Sequence, residues 1–218
     1  MLKWPSDYSD NSTRSDCGKR PDGEEPLTRR VVDRQHRKRG RRLRLFCALH
    51  SDPAAAQQLI AAVESIESLP DHRLTPLHQI HMTLLFIGDV DASDLDEVSE
   101  SVLRAATAVE PLQWRVEGFG TLPGRGAART VAALGPSSSG LEELHRRLSQ
   151  RLARSSKNRP FLPHMTLARF TPARPGFQLD RALAGPLLRF DTLDLVLSRL
   201  LPSGAEHQRI LEAPLGVN

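Results

Sequence analysis

Beyond residue 40, apolar and polar positions along this chain alternate, then recur every three or four residues, then alternate again. Arg42-Leu43-Arg44-Leu45-Phe46-Cys47-Ala48-Leu49 begins with period two and runs into unbroken apolar character, the pattern of a strand. Asp52-Pro53 opens a helix. The aspartate can accept from first-turn amides, and proline at the first helical position gives up an N–H that would go unbonded. Leu59, Ile60, Val63 and Ile66 form its apolar stripe. Residues 79–86 predict a second strand that stops at Gly88, and Ser93 caps a helix bearing Leu95, Val98, Val102 and Ala106. The second half repeats the theme. Residues 112–119 and 130–134 are strands joined across the Gly/Pro-rich loop 120–126. Leu141, Leu144, Leu148 and Leu152 mark a third helix, and residues 164–170 form a strand after Pro160 and Pro163. Residues 190–197 and 207–211 are strands flanking the turn Pro202-Ser203-Gly204. Strands in both halves with helices between them predict an α+β fold of two similar lobes.

Residues 1–40 lack this periodicity, are rich in Ser, Asp, Arg and Pro, and are expected to be disordered, leaving 41–218 as the folded domain. The split changes the meaning of the charge. The whole chain carries 30 Lys and Arg against 26 Asp and Glu. Residues 29–44 alone hold nine of the basic residues against Asp33, so residues 45–218 are slightly acidic. A basic arm of this kind adds salt-sensitive attraction to nucleic-acid phosphates, or is a solvated tail, or lies upstream of the natural start; all three readings stay open. No apolar run reaches membrane-spanning length and no secretory signal precedes the domain, so a cytoplasmic protein is expected. The two cysteines, Cys17 in the polar tail and Cys47 in an apolar strand, are expected to be free thiols.

Candidate chemistry comes from a repeat. His81-Met82-Thr83-Leu84 recurs as His164-Met165-Thr166-Leu167, and the three methionines of the chain are Met1 and these two. In a strand, residues i and i+2 share a face. His81 and Thr83 then point one way, while Met82, Leu84 and Phe86 point to the core. The same alternation pairs His164 with Thr166 and turns Arg169 away from them. Each lobe would present one imidazole and one hydroxyl to a common cleft. A lone histidine at a strand end is by default satisfied by a backbone carbonyl; two matched copies favour chemistry. In-line displacement at phosphorus requires a base beside the attacking oxygen and an acid beside the leaving oxygen. Imidazole serves either role near neutral pH. Threonine hydroxyls can stabilise charge growing on the non-bridging oxygens.

With these motifs the sequence resembles the LigT-type RNA 2′,3′-cyclic phosphodiesterases of the 2H phosphoesterase superfamily, from about Arg44 to Leu215. Leu45-Phe46-Cys47-Ala48-Leu49 is similar to the family's opening strand. Phe86-Ile87-Gly88 follows the first motif as expected, and Pro163 and Arg169 bracket the second. Leu197-Ser198-Arg199-Leu200-Leu201-Pro202-Ser203-Gly204 resembles the family's late segment. The resemblance implies a bilobal fold with a pseudo-twofold axis, each lobe an antiparallel sheet flanked by helices around a central cleft. It implies hydrolysis of 2′,3′-cyclic phosphate RNA ends to 2′-phosphomonoesters; a monomer that needs no metal or cofactor is expected. In that reaction His81 is the proton donor, His164 the proton acceptor, and Thr83 and Thr166 their companions. The residues themselves do not distinguish acid from base. Two departures stand out: His207 occupies the place of a tyrosine common after the late glycine, and residues 130–134 lack the aromatic often found before the third helix.

Phe46, Phe86, Arg125, Arg129 and Arg169 are further candidates for binding substrate, although core packing is the default for the two phenylalanines and an ion pair for Arg169. The His, Cys, Asp and Glu residues show no zinc-like spacing, and Gly124-Arg125-Gly126 lacks the lysine and hydroxyl of a phosphate-binding loop. Two alternatives remain. One is a related two-histidine enzyme acting on a cyclic nucleotide, a 2′–5′ linked oligonucleotide or an ADP-ribose cyclic phosphate. The other is a non-catalytic RNA-binding protein.

Overall fold

The computed structural model describes residues 41–153, 160–201 and 204–216. The expectations for residues 1–40, including Cys17, and for the turn at Pro202-Ser203 lie outside the described residues. In chain order the elements are β1 (Arg42–His50), α1 (Pro53–Glu64), β2 (Arg73–Leu74), β3 (His81–Asp91), α2 (Leu95–Ala106), β4 (Leu112–Arg115), β5 (Gly118–Leu122) and β6 (Ala128–Leu134). Next come α3 (Ser139–Leu152), β7 (His164–Arg174), β8 (Asp180–Ala182), β9 (Leu187–Phe190), β10 (Thr192–Leu201) and β11 (Gly204–Pro214). The predicted α+β class holds.

The helices begin where side chains satisfy their first amides. Asp52 accepts from the Ala55 amide at 2.9 Å ahead of Pro53, and Ser138 accepts from Leu141 N–H at 3.3 Å. Leu141, Leu144, Leu148 and Leu152 are all buried along α3, as their spacing predicts. Ser93 does not cap α2. It sits in a 3-10 turn, Ala92–Asp94, whose entry is held by the Asp91 carboxylate, and Asp94 precedes the helix without a side-chain cap.

The strands run in the order β11-β10-β1-β3-β7-β6-β5-β8, with β2 on the far end of β7 and β4 paired to β9 in a separate ribbon. The two expected half-sheets are therefore one continuous antiparallel sheet. They join where Met82 pairs with Met165, both fully buried. The first half-sheet holds β11, β10, β1 and β3; the second holds β7, β6, β5 and β8. Helix α1 contacts β7, α2 contacts β10 and β11, and α3 contacts β3. Helix and sheet side chains such as Leu59, Val102, Leu144, Leu45, Met82 and Leu167 make one core. A small separate cluster, Phe46, Ala48 and Val196, lies on the other face of the sheet.

Several strand boundaries differ from the pattern-based expectation, and β7 and β11 run longer, to Arg174 and over Gly204–Pro214. β3 starts at His81 because Leu77–Gln79 form a 3-10 turn, and it does not stop at Gly88. Gly88 takes φ 85°, a left-handed value glycine adopts without strain, so β3 bulges there and keeps pairing with β1 as far as Asp91. Residues 112–119 are two strands. Val116 and Glu117 break the run and donate to the Pro186 and Leu134 carbonyls, sending β4 to β9 and β5 to β6. Phe190 ends β9 and does not begin β10. β2 and β8 are two and three residues long, too short to carry a period.

Among the described residues, no helix is long and apolar enough to cross a membrane. Met82 holds the two half-sheets together with no exposed surface. Met82→Ala should therefore cost about 2–5 kcal/mol of stability, measurable as a lowered midpoint in chemical denaturation.

Candidate active site

Met82 and Met165 face each other in an antiparallel pair, and both side chains enter the core. Continuing that register one residue each way sets His81 opposite Thr166 and Thr83 opposite His164, all four on the face away from the helices and all half-buried. Directly opposed side chains have Cβ atoms about 5 Å apart and diagonal ones about 7 Å. The two imidazoles thus sit on a diagonal with a threonine beside each, around a pseudo-twofold axis through the methionine pair.

Both histidines are tethered alike. His81 donates Nδ1–H to the Gln79 carbonyl at 2.7 Å, and His164 donates to the Leu162 carbonyl at 2.9 Å. A carbonyl only accepts, so Nδ1 carries the proton and Nε2 is left for chemistry. The backbone carbonyl expected of a structural histidine is present at both, and it fixes the orientation of each ring. Burial pushes the pKa of His81 down to about 3, helped by the positive charges of His50, His207 and Arg169 and opposed by the Gln79 hydrogen bond. His164 is also lowered, by burial first and by Arg169, against the Leu162 bond.

Alternation fails just beyond each motif, at equivalent places. Ala48 pairs with Thr83 and Cys47 with Leu85, leaving Leu84 bulged; Ala132 pairs with Thr166 and Val131 with Ala168, leaving Leu167 bulged. Each bulge carbonyl finds a donor: Nδ1–H of His145 bonds Leu84 O at 2.8 Å, and the Thr75 amide bonds Leu167 O at 2.8 Å. The bulges correct two expectations. Phe86 does not point to the core; it pairs across from Phe46, is 71% exposed, and lies on the cleft face with ring centroids 5.9 Å apart. Arg169 is not turned away from His164. Its charge bears on His81, His164 and His207, and its own pKa is lowered by burial and by Arg73, its partner across β2.

Phe46 is buried beneath the cleft floor, in ring contact with His81 (5.1 Å) and His207 (5.0 Å), so it supports the site from below. Arg125, in the β5–β6 loop, and Arg129, at a bulge of β6, are solvent-exposed, and neither is among the charges that shift the two histidines. His50 and Asp194 were not singled out by sequence reasoning, and His207 was noted only as replacing a tyrosine. His50 pairs with His81 across β1–β3, with ring centroids 5.3 Å apart, and donates Nδ1–H to Asp194 at 2.5 Å. His207 meets His81 edge-on at 5.3 Å. Among the described residues, no three His, Cys, Asp or Glu side chains converge to hold a metal ion.

The family model described as the 2′-5′ RNA ligase superfamily matches residues 51–199, more than half of the chain. The chain belongs to this superfamily, the 2H phosphoesterases. An RNA 2′,3′-cyclic phosphodiesterase of Thermus thermophilus is 28% identical over 172 residues, covering 74% of this chain and 85% of that protein. One of Methanocaldococcus jannaschii is 25% identical over 129 residues, covering 58% of this phosphoesterase and 71% of the relative. Escherichia coli LigT in its apo form superposes with a TM-score of 0.67 at 23% identity, over 80% of this chain and 98% of that one, which shows the shared fold.

The depressed pKa of His81 has a consequence for stability. An unfolded histidine takes up its proton near pH 6.5, whereas the folded one resists until about pH 3. Between those values the unfolded state binds more protons, so stability falls as pH is lowered, by up to about 1.4 kcal/mol per pH unit from this group. His81→Asn should lose stability less steeply than the native protein between pH 6.5 and 4. Equal slopes in denaturation series would show that His81 protonates normally.

Proposed function

We propose that this phosphoesterase hydrolyses the 2′,3′-cyclic phosphate ends of RNA to 2′-phosphomonoesters, with His81 as general acid and His164 as general base and without a metal ion. The observation that carries the reading is the pair of imidazoles, each fixed by Nδ1 and offering Nε2, on a diagonal with two hydroxyls across one strand pairing. The curated relatives named RNA 2′,3′-cyclic phosphodiesterase supply the substrate class.

A cyclic phosphate at the centre of the four side chains has its phosphorus between the two Nε2 atoms. His164 Nε2 takes a proton from water as the water oxygen bonds to phosphorus. The bond from phosphorus to O3′ breaks opposite, and His81 Nε2–H gives its proton to O3′. The two histidines exchange one proton overall, and solvent restores the starting state. Thr83, Thr166 and Arg169 face the non-bridging oxygens, where charge accumulates. Both imidazoles are lowered, so a proton held on His81 leaves readily, and an anionic phosphate beside it favours that proton while substrate is bound. Phe86 offers an exposed ring at the rim to a nucleobase.

The reading is tested by incubating the protein with an oligoribonucleotide ending in 2′,3′-cyclic phosphate. A 2′-phosphate product formed equally well in excess chelator is expected; loss in chelator with recovery on adding a divalent ion would refute the mechanism. His81→Ala and His164→Ala should each lower turnover roughly 10²–10⁴-fold, and the double variant much less than the product of the two, because the pair acts as a unit. Thr83→Ala and Thr166→Ala should cost less than either. An activated p-nitrophenyl phosphodiester, whose leaving group departs without a proton, should restore more activity to His81→Ala than to His164→Ala. The reverse order of rescue would exchange acid and base.

A further inference from the structure

The fold makes the two histidine motifs equivalent, yet their neighbours differ. In the first half-sheet His81 pairs with His50, and Ala48, opposite Thr83, pairs on its other side with Asp194. In the second half-sheet the matching places are taken by Leu134, opposite His164, and Gly120, beside Ala132. A titratable pair thus stands next to one catalytic imidazole where the other has a leucine and a glycine.

The pair is built at a cost. Asp194 is 1% exposed on the cleft face of β10, and its Oδ1 is buried without a hydrogen-bond partner. A buried carboxylate on a central strand is destabilising unless something holds it. Its Oδ2 accepts from His50 Nδ1–H at 2.5 Å and lies 3.7 Å from Arg209 Nε, itself 3.6 Å from Glu212 through Nη1. His50 is almost as deeply buried as Asp194. With Nδ1 committed to the carboxylate, the remaining nitrogen of His50 is free to carry a second proton within the site.

We propose that His50 and Asp194 form a positioning dyad for His81: the carboxylate orients His50 through Nδ1, and a proton on His50 sets His81 apart from its symmetry mate His164. The proposal rests on the acid–base reading given above. A positive charge 5.3 Å from the His81 ring opposes protonation of His81 and speeds departure of its proton toward the leaving oxygen. Other groups act on His81 as well: His207 from β11, Arg169 from β7 and the Gln79 carbonyl. His207 in turn feels His78. These remain in place when His50 is changed, so the dyad's share can be measured separately. Asp194 fixes which nitrogen of His50 is free, a role Arg209 cannot fill because it lies on the carboxylate's side.

The test reads His81 directly. Histidine ring signals of the substrate-free full-length protein are titrated by NMR in the native protein, in His50→Gln and in Asp194→Asn. Gln keeps a donor for Asp194 and removes the imidazole; Asn keeps an acceptor for His50 and removes the carboxylate. Both should move the His81 titration upward by about one pH unit, the effect of one nearby charge in a partly hydrated site, and leave His164 within a few tenths. Unchanged melting temperatures would confirm that each variant is folded, and if one fails to fold the other carries the test. A His81 titration that stays in place overturns the proposal, as does an equal shift of His81 and His164. The measurement needs no turnover. A protein inactive on cyclic phosphate would refute the proposed function while the His81 shift still decides the dyad.

Discussion

Where β3 and β7 cross, two methionine side chains share one buried contact, and every other feature of the cleft is referred to it. Each half of the chain makes its own antiparallel pairs, β1 with β3 and β6 with β7, and these would remain separate sheets without Met82 opposite Met165. The unbranched thioether side chain suits a junction that must fill space between two independently twisted half-sheets. Because successive residues of a strand face opposite ways, burying that pair obliges its four neighbours to emerge on the other side. The two histidines and two threonines are thus placed by core packing, while Gln79 and Leu162, just ahead of the strands, orient the rings.

The same dependence explains how much was legible beforehand. His81, Thr83, His164 and Thr166 could be read from the chain because an exact repeat containing scarce residues, laid on a period of two, already fixes their common face. Arg169 and Phe86 were candidates for binding substrate, but alternation put them on the wrong face, since a bulge adds one residue to one strand and reverses the face of everything beyond it. Nothing in Leu84 or Leu167 marks them as the bulged residues; the signal lies in which partners they fail to find on β1 and β6. Residues 112–119 read as one strand because Val116 keeps the apolar run going, while the hydrogen bonds that divide it come from Leu134 and Pro186.

His50 and Asp194 were illegible for a different reason. They lie 144 positions apart, near the ends of two strands that look polar there for ordinary reasons, and only the pairing of β1 with β10 brings them together. The fold's symmetry makes them visible after the fact. Matched positions in the two half-sheets carry His and Leu, Asp and Gly, and a difference between otherwise equivalent places asks for an explanation that a single lobe would not. Helix placement follows the same cross-connection: α1, from the first half of the chain, rests on β7, while α3 rests on β3. Neither half could keep its packed face without the other.

The tethers on His81 and His164 also limit how such a protein can diversify. Each ring is anchored to a carbonyl two residues back in its own chain, and both strands meet at a buried methionine pair, so the spacing of the rings is set by strand pairing. Under the proposed mechanism, that spacing answers to a phosphorus flanked by two oxygens, whatever nucleoside is attached. Choice among substrates then falls to the periphery, to an exposed ring such as Phe86 and to whatever the neighbouring loops present. On the proposed mechanism, a reaction core fixed by strand pairing and a rim free to vary would let one geometry serve many nucleotides, because the rim can be rewritten residue by residue without disturbing the two imidazoles.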